Sequence, residues 1–279
     1  MKLIRSPKKL QQSIEKERAR GKTVGFVPTM GALHEGHLSL VRTSDRENDV
    51  TVVSVFINPA QFVKNEDYAK YPRTLGADKK KLRTAKIDYL FCPPVTAMYP
   101  EGYATFVEVS PGLANVLCGK FRPGHFQGVA TVVAKLLNLT GPCRLYLGAK
   151  DYQQAAVIRR LVQDLDMDVQ TRVMATVREK DGLAMSSRNR YLSPGERSRA
   201  LALSRGLFAL KKDLLQKKGS VAEARTRALR ELKKHVDRVQ YLEIVDPGTL
   251  APVKKHQKKM VALTACYVGK TRLIDNVII

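Results

Sequence analysis

Residues 23–41, TVGFVPTMGALHEGHLSLV, carry the pattern that decides the fold. A short apolar run leads to a turn with two glycines, Gly31 and Gly36, and then to apolar residues at helical spacing. This order indicates a strand, a turn and a helix. It repeats along the chain, with strand candidates at 23–28, 50–58, 87–94, 144–149 and 169–177 and helical patterns at 34–48, 74–85, 126–139 and 151–165. Apolar strands with helices between them predict an α/β domain at residues 1–175, whose parallel sheet is covered on both faces.

The remaining residues, 176–279, show a different pattern. Two helix-start signals are present, Ser193 with Glu196 and Ser220 with Glu223, each a serine followed three residues later by a glutamate. Strand candidates follow at 239–246, 260–268 and 272–279. These features predict a second, smaller α+β domain at residues 176–279.

The composition is typical of a folded cytoplasmic protein. The chain has 279 residues, of which 44% are hydrophobic and 27% charged. No stretch approaches the roughly 20 apolar residues that span a bilayer, and the basic N-terminus lacks the apolar segment of a secretory signal. The four cysteines are far apart and form no CxxC pair, which favours reduced thiols over a metal site. We expect a cytoplasmic protein with no membrane partner.

The charge is unusual, with a formal net charge of +23. Residues 176–279 contribute 23 Lys/Arg against 10 Asp/Glu, and the excess is concentrated at 211–218, 227–235 and 253–259. The first two stretches have helical patterns, in which the cations favour solvated helix faces. No aromatic residue interleaves them, so a stacking platform for single strands is absent. Nucleic acid is not expected as a partner, although a polyanion-binding surface stays open as the alternative.

The turn TMGALHEGH, residues 29–37, is the first candidate for chemistry. Glycines let the backbone approach a ligand closely, and a helix N-terminus favours phosphate. His34 and His37 share one face of a helix and can donate hydrogen bonds to a phosphate that gains charge in the transition state. A plain surface turn is the competing interpretation. Zinc is a third, although neither a nearby cysteine nor a glutamate at metalloprotease spacing supports it.

Four other stretches carry candidate ligand-binding side chains. GAKDYQQ, at 148–154, offers Lys150 for phosphate and a candidate helix cap at Asp151, while MSSRN, at 185–189, offers hydroxyls and a guanidinium for a triphosphate. NPAQF, at 58–62, places two amides at a strand end, and RPGHF, at 122–126, precedes an apolar helix. A polar linker explains MSSRN equally well, and His125 is equally suited to a helix start and to ligand contact.

Several common catalytic motifs are missing from the sequence. It holds no Walker loop, no GxSxG and no GxGxxG, and no residue has the setting of an activated covalent nucleophile. Phosphate donors without a nucleophile favour catalysis by positioning and charge stabilisation, as in nucleotidyl transfer.

These motifs together resemble one family. TMGALHEGH resembles the HIGH-type motif of the nucleotidyltransferase superfamily, and MSSRN resembles its counterpart to the KMSKS loop. With FINPAQF, RPGHFQGVATVV, GAKDYQQ and RLIDN in the same order, the chain resembles the pantoate–β-alanine ligases, or pantothenate synthetases, from about residue 3 to 277. The resemblance implies a Rossmann-like N-terminal domain that binds nucleotide and pantoate, a C-terminal lid domain and a homodimer. It also implies a cytoplasmic ligase of pantothenate and coenzyme A biosynthesis that condenses pantoate with β-alanine through pantoyl adenylate, consumes ATP with Mg²⁺, and releases AMP and pyrophosphate.

The resemblance also implies roles for individual residues. His37 is expected to be the proton donor with His34 as its partner, and Lys150, Ser186, Ser187 and Arg188 complete the catalytic set. The expected ATP-binding residues are Met30, Gly31, Ala32, Leu33, His34, Glu35, Gly36, His37, Gly148, Ala149, Lys150, Asp151, Val177, Met185, Ser186, Ser187 and Arg188. The expected pantoate-binding residues are Gln61, Gln154 and Asn58, with Gln61 also beside β-alanine and Asp78 associated with Mg²⁺.

Two features depart from the family pattern. Ala149 replaces the glutamate of the usual GEKD, which leaves the backbone of this loop intact, so we expect activity to survive. The high positive charge is the second departure, which we interpret as surface composition. Another nucleotidyltransferase, such as a cytidylyltransferase, would share the two histidines but lack NPAQF and KDYQQ. A purely RNA-binding protein would explain the charge but would leave Gln61 and MSSRN without a role.

Overall fold

The structure, a computed structural model, describes residues 1–63 and 66–279, which divide into two compact units. The first unit comprises Met1–Val109, Arg122–Ala149 and Gln154–Ala175. The second comprises Ser110–Phe121, Lys150–Gln153 and Thr176–Ile279. Two short segments from within residues 1–175 therefore belong with the C-terminal residues.

Strands and helices alternate through most of the chain. The strands are β1 (Lys2–Ile4), β2 (Val24–Thr29), β3 (Val50–Val55), β4 (Tyr89–Phe91), β5 (Cys143–Gly148), β6 (Val169–Met174), β7 (Arg238–Val245), β8 (Val261–Val268) and β9 (Thr271–Ile278). The helices are α1 (Pro7–Arg18), α2 (Glu35–Glu47), α3 (Leu75–Thr84), α4 (Val95–Met98), α5 (Pro111–Ala114), α6 (Leu117–Lys120), α7 (His125–Thr140), α8 (Tyr152–Asp164), α9 (Pro194–Leu215) and α10 (Val221–Lys233). Three 3₁₀ turns are formed by Pro59–Gln61, Ala149–Asp151 and Ser187–Tyr191.

The first unit contains a six-stranded sheet in the order β1-β4-β3-β2-β5-β6, with every pair parallel. This confirms the predicted α/β fold. The central strands are apolar along their whole length, as expected for a sheet covered on both faces. A cluster that includes Val27, Leu33, Val41 and Leu82 fills the space between the sheet and the helices α2 and α3.

The strand order changes direction between β2 and β5, which are neighbours at the centre of the sheet. The chain runs outward from β2 through β3 and β4 on one side, and from β5 to β6 on the other. In open parallel sheets this switch point leaves a crevice at the carboxyl ends of the strands, where ligands bind. The turns that follow β2 and β5, at residues 30–34 and 149–151, begin at this edge.

The second unit contains the sheet β7-β8-β9, which is antiparallel and consists of the three strands that the C-terminal pattern predicted. The two predicted capping boxes are present. Ser193 Oγ accepts the N–H of Glu196 at 3.3 Å and Glu196 accepts the N–H of Ser193 at 2.8 Å, with matching bonds between Ser220 and Glu223. The apolar faces of α9 and α10 pack into a cluster with the sheet. Both helices therefore begin at residues that the sequence indicates and turn one apolar face inward.

Several cations of the basic stretches have acidic neighbours. Arg227 contacts Asp213 at 3.1 Å, and Lys234 contacts Glu231 at 2.6 Å. The side chains of Arg227, Lys234 and Glu231 are exposed, which supports the interpretation of these stretches as solvated faces. The four cysteines are free thiols, and no helix among the described residues is long and apolar enough to cross a membrane.

Candidate active site

The turn after β2 is bent sharply at two residues. Gly31 has φ +79° and Ala32 has φ +50°, so both lie in the left-handed region, which favours glycine. Thr29 fixes the start of the turn, because its hydroxyl donates to the Ser54 carbonyl at 2.8 Å and accepts the Gly31 N–H at 3.1 Å. A side chain at Gly31 would come within 3.0 Å of Val55. The bend therefore depends on glycine and on an anchor from the neighbouring strand.

Asp78, on α3, holds the middle of the same turn. Its carboxylate accepts the N–H of Ala32 at 3.0 Å and the N–H of Leu33 at 2.8 Å, and the Thr74 hydroxyl donates to it at 3.2 Å. Asp78 is only 1% exposed. The structure thus places this carboxylate under the turn, where it compensates the strained backbone of Ala32 with charge-assisted hydrogen bonds.

The two histidines lie together where α2 begins. His34 has an extended backbone directly ahead of the helix, and its N–H points to Nδ1 of His37 at 3.4 Å. The two ring centroids are 4.0 Å apart. Because Nδ1 of His37 accepts a hydrogen, a neutral His37 ring carries its own proton on Nε2. The site therefore combines an Nε2–H donor with the positive end of the helix dipole.

The turn Pro59–Gln61 presents the amide of Gln61, which is 9% exposed. Its Nε2 donates to Sδ of Met30 at 3.0 Å, so the two turns of the site are in contact. Asn58 holds this amide in place, because its Nδ2 donates to Gln61 Oε1 at 3.2 Å and to the Gly128 carbonyl at 3.0 Å.

Asn58 forms its other two hydrogen bonds within the protein as well. Its Oδ1 accepts the N–H of Ala60 at 3.2 Å and the hydroxyl of Tyr99 at 2.8 Å. Burial raises the pKa of Tyr99 well above its usual range, which keeps this hydroxyl protonated as the donor. With four protein hydrogen bonds and 1% exposure, Asn58 orients Gln61. Its predicted contact with pantoate stays a prediction.

A pocket borders the turn after β2 in the first unit. It has a volume of about 650 Å³, and Met30 and Gly31 form part of its wall. Apolar side chains such as Phe56 and Leu75 line it, and the thiol of Cys92 stays protonated because burial raises its pKa to about 11. Met30 therefore contacts this pocket as well as the Gln61 amide.

Candidate residues of the second unit meet at strand β9. Asn276 donates to the Lys150 carbonyl at 2.8 Å, and its own carbonyl accepts from Arg178 at 3.3 Å. Arg178 forms a bidentate pair with Asp275 at 2.7 and 2.9 Å. Strand β9 thus joins Lys150 to the loop that contains Val177.

The MSSRN loop continues from this arrangement. The N–H of Met185 donates to the Val177 carbonyl at 3.0 Å, which brings together two predicted ATP-binding positions. Ser186 caps the turn Ser187–Tyr191 by accepting the N–H of Arg188 at 3.3 Å. The loop is therefore a defined capped turn.

Comparisons with known proteins show the family of the chain. The model of the family "Pantoate-beta-alanine ligase" matches residues 2–278. A pantothenate synthetase from Thermodesulfovibrio yellowstonii is 49% identical over 282 residues, which cover 100% of both chains. The chain belongs to the pantoate–β-alanine ligase family.

Solved structures of pantothenate synthetases are similar throughout the chain. One from Thermus thermophilus has a TM-score of 0.94 and 47% identity and covers 99% of both chains. One from Francisella tularensis, described as complexed with β-γ ATP and β-alanine, has a TM-score of 0.81 and 37% identity, and the match covers 99% of this chain and 97% of that one. As a member of the pantoate–β-alanine ligase family the chain is a ligase, as its motifs predicted.

The structure places the predicted residues of this ligase in separate groups. Met30, Gly31, Glu35 and Gly36 lie with the histidine pair on one turn and helix start of the first unit, and the side chains of Ala32 and Leu33 are buried beneath it. Gly148 and Ala149 end β5 and begin the next turn, and Gln154 lies half-buried in the first turn of α8. Asp151 ends the turn Ala149–Asp151 and directly precedes α8, and its role as a helix cap stays a prediction.

Some contacts that hold the site are not indicated by the motifs, even where a motif contains one of the residues. Asp275 belongs to RLIDN, but its ion pair with Arg178 joins positions 97 apart and leaves no local pattern. Gln153 belongs to GAKDYQQ; it is 3% exposed, donates to the carbonyls of Leu113 and Val116, and accepts the N–H of Cys118. Its amide is thus used for structure, whereas the adjacent Gln154 keeps a half-exposed side chain.

Proposed function

We propose that this ligase condenses pantoate with β-alanine in two steps that consume ATP. In the first, a carboxylate oxygen of pantoate attacks the α-phosphorus, the bond to the bridging oxygen breaks, and pyrophosphate leaves with the electron pair. In the second, the amine of β-alanine attacks the acyl carbon of pantoyl adenylate. The bond to AMP breaks, the nitrogen loses a proton, and pantothenate is formed.

The observation that carries this proposal is the histidine pair at the start of α2. Negative charge grows on the phosphate oxygens as pyrophosphate leaves, and preorganised donors at that point lower the barrier. His37 supplies an Nε2–H beside the helix N-terminus, while its Nδ1 is occupied by the N–H of His34. We assign His37 as the proton donor and His34 as the residue that sets its tautomer and also contacts phosphate.

The second unit supplies a further set of phosphate-binding groups in this proposal. Lys150 contributes a point charge, Arg188 a guanidinium, and Ser186 and Ser187 their hydroxyls. The backbone of Gly148 and Ala149, the carboxylate of Asp151, and the pair Val177 and Met185 complete the nucleotide contacts. The hydrogen bond between the main chains of Val177 and Met185 supports their joint role.

Pantoate is assigned to the two amides of the first unit, Gln61 and Gln154. Amides distinguish a hydroxyl or carboxylate from an analogue that lacks it, because the mismatch leaves buried polar groups unpaired. Gln61 is also assigned to β-alanine. We assign Asn58 to orienting Gln61, because protein groups fill its four hydrogen-bonding positions.

Asp78 does not fit a metal ligand in this structure. Its oxygens accept three protein hydrogen bonds, it is 1% exposed, and no group of three or more His, Cys, Asp or Glu side chains in the described part of the chain is arranged to hold a metal. Mg²⁺ is therefore proposed only as the counter-ion that accompanies the triphosphate. No step depends on a protein-held ion.

The proposal is tested by pyrophosphate release from ATP and Mg²⁺, with and without pantoate, followed by addition of β-alanine. The wild-type protein is expected to release pyrophosphate only with pantoate, and to form AMP and pantothenate once β-alanine is present. His37→Ala is expected to slow the first step by at least about 100-fold, the loss typical of one preorganised donor. His235→Ala, at an exposed position on the turn after α10, is the matched control and should leave the rate unchanged.

If the folded protein releases no pyrophosphate in response to pantoate, the proposal is refuted. Light scattering and localisation of a tagged chain would test the accompanying expectations of a homodimer and a cytoplasmic enzyme.

A further inference from the structure

A chain of charged and polar groups leads from the surface to the main chain of Gln61. Arg122 forms a bidentate pair with Glu66, at 2.5 Å from Nε and 2.7 Å from one terminal nitrogen. Its other terminal nitrogen lies 2.8 Å from Nε2 of His125, and Nδ1 of His125 lies 2.7 Å from the Gln61 carbonyl. Arg122 also reaches that carbonyl directly at 3.3 Å.

The contacts determine the direction of each hydrogen bond. A carbonyl oxygen only accepts, so Nδ1 of His125 must carry the hydrogen that it donates to Gln61. A guanidinium only donates, so Nε2 of His125 must accept from Arg122. These two constraints together select one neutral tautomer of His125, and the carboxylate of Glu66 balances the charge of Arg122.

The burial of these side chains holds the series of hydrogen bonds in one geometry. His125 is 5% exposed, and the side chains of Arg122 and Glu66 are 13% and 19% exposed. Such a pair keeps its geometry better than an exposed one, because solvent does not compete for its hydrogen bonds.

Asn58 and Gly128 also restrain the turn that contains Gln61. Asn58 binds the Gln61 side chain, and Gly128 of α7 approaches so closely that an added Cβ would lie 2.1 Å from the Ala60 carbonyl oxygen. The direction of the Gln61 amide therefore depends on the side-chain bond from Asn58 and on the carbonyl bonds from His125 and Arg122.

We propose that Glu66, Arg122 and His125 are positioning residues for pantoate, because they fix the main chain from which the Gln61 amide projects. This inference rests on the proposed function, in which Gln61 binds pantoate. The three residues act through Gln61, and none of them is assigned a contact with ATP.

The test exploits the different reach of two amides at position 125. The side-chain nitrogen of asparagine can occupy the place of imidazole Nδ1, whereas that of glutamine reaches the place of Nε2. His125→Asn should therefore keep the donor to Gln61, and His125→Gln should lose it. We expect His125→Gln to raise KM for pantoate about tenfold, the effect of one buried hydrogen bond, with KM for ATP within about twofold. His125→Asn should stay within about threefold of wild type for both substrates.

Two further variants distinguish the positioning role from a general loss of folding. Glu66→Gln lies at the outer end of the chain of contacts, and we expect it to raise KM for pantoate about threefold with KM for ATP unchanged. Thr131→Val is the matched control on α7, because Thr131 is 2% exposed and accepts the N–H of Val107 rather than holding Gln61. It should leave the ratio of the two KM values unchanged.

Hydrogen exchange of the peptide that covers residues 58–62 supplies a readout that does not depend on activity. Faster exchange in His125→Gln than in His125→Asn would support the positioning role even if the wild-type protein failed to use pantoate, in which case only the proposed function would fall. Equal exchange in the two variants, or equal rises of KM for pantoate and ATP, would overturn the inference.

Discussion

The substitution Asp78→Asn distinguishes two possible roles of the Asp78 carboxylate, to hold a turn or to hold a metal ion. In the wild type, two backbone N–H groups and one hydroxyl donate to the Asp78 oxygens. Asparagine has nearly the same shape but replaces one acceptor by an NH₂ donor. That donor would face the N–H of either Ala32 or Leu33, which lie 3.0 and 2.8 Å from the carboxylate.

The size of the effect follows from these contacts. A hydrogen bond to a charged group contributes about 1.5–3 kcal/mol, and an unsatisfied buried N–H costs about 1–3 kcal/mol. One bond of Asp78 is lost and the others become neutral, so we expect the free energy of unfolding to fall by about 3 kcal/mol. Ala32, at φ +50°, then loses the interaction that compensates its strain, and the turn shifts. We expect KM for ATP to rise at least tenfold.

Urea denaturation and pyrophosphate release at varied Mg²⁺ measure the two quantities. If Asp78 holds the turn, stability falls while the Mg²⁺ concentration for half-maximal rate stays within about twofold. If it holds the metal, that concentration rises and saturating Mg²⁺ restores the rate. Unchanged stability together with a tenfold rise in the Mg²⁺ requirement would refute our reasoning. Asp45→Asn, at an exposed position on α2, is the control for the loss of one negative charge.

Four other changes have expected outcomes. Gly128→Ala forces α7 away from the neighbouring 3₁₀ turn, so urea denaturation should show a loss of about 1–3 kcal/mol and KM for pantoate should rise. Arg178→Gln leaves the carboxylate of Asp275, 2% exposed, without its cation, and unfolding should become easier by about 3–5 kcal/mol in the same assay. A hydrogen bond from Lys22 lowers the pKa of Glu17, so this carboxylate stabilises the fold above about pH 4.5 and the contribution disappears as pH falls further; the melting temperatures of wild type and Glu17→Gln should therefore converge in acid. A salt titration with random duplex DNA should show no association at about 150 mM salt, and persistent binding would restore the polyanion-binding alternative.

The sequence predicted those parts of the fold that depend on local pattern. The two capping boxes begin helices where Ser193 and Ser220 indicate, because their hydrogen bonds join residues three apart. The central strands follow from their apolar runs, which need only a sheet covered on both faces. Strand β1, with three residues, and helix α1, which buries only Leu10 and Ile14, were not predicted.

The supports of the candidate site could not be predicted in the same way. Asp78 is 46 positions from Ala32, and His125 is 64 positions from Gln61, so the contacts exist only once the sheet has brought distant segments together. The motifs contain orienting residues such as Asn58 and His125 as well as candidate ligand contacts, but they do not indicate which residue does which. For the same reason the resemblance associates Asp78 with Mg²⁺, whereas in the structure its carboxylate supports a turn.

The adjacent amides Gln153 and Gln154 show how the structure completes such an argument. Successive residues of a helix point about 100° apart, so two neighbours at the start of α8 cannot serve the same surroundings. Gln153 is buried and uses both ends of its amide to hold the carbonyls of Leu113 and Val116 and the N–H of Cys118. Replacing Gln153 would therefore destabilise the fold rather than weaken substrate binding directly. Gln154 is half-buried and remains available to recognise a hydroxyl, and for this reason we assign pantoate to Gln154 rather than to its neighbour.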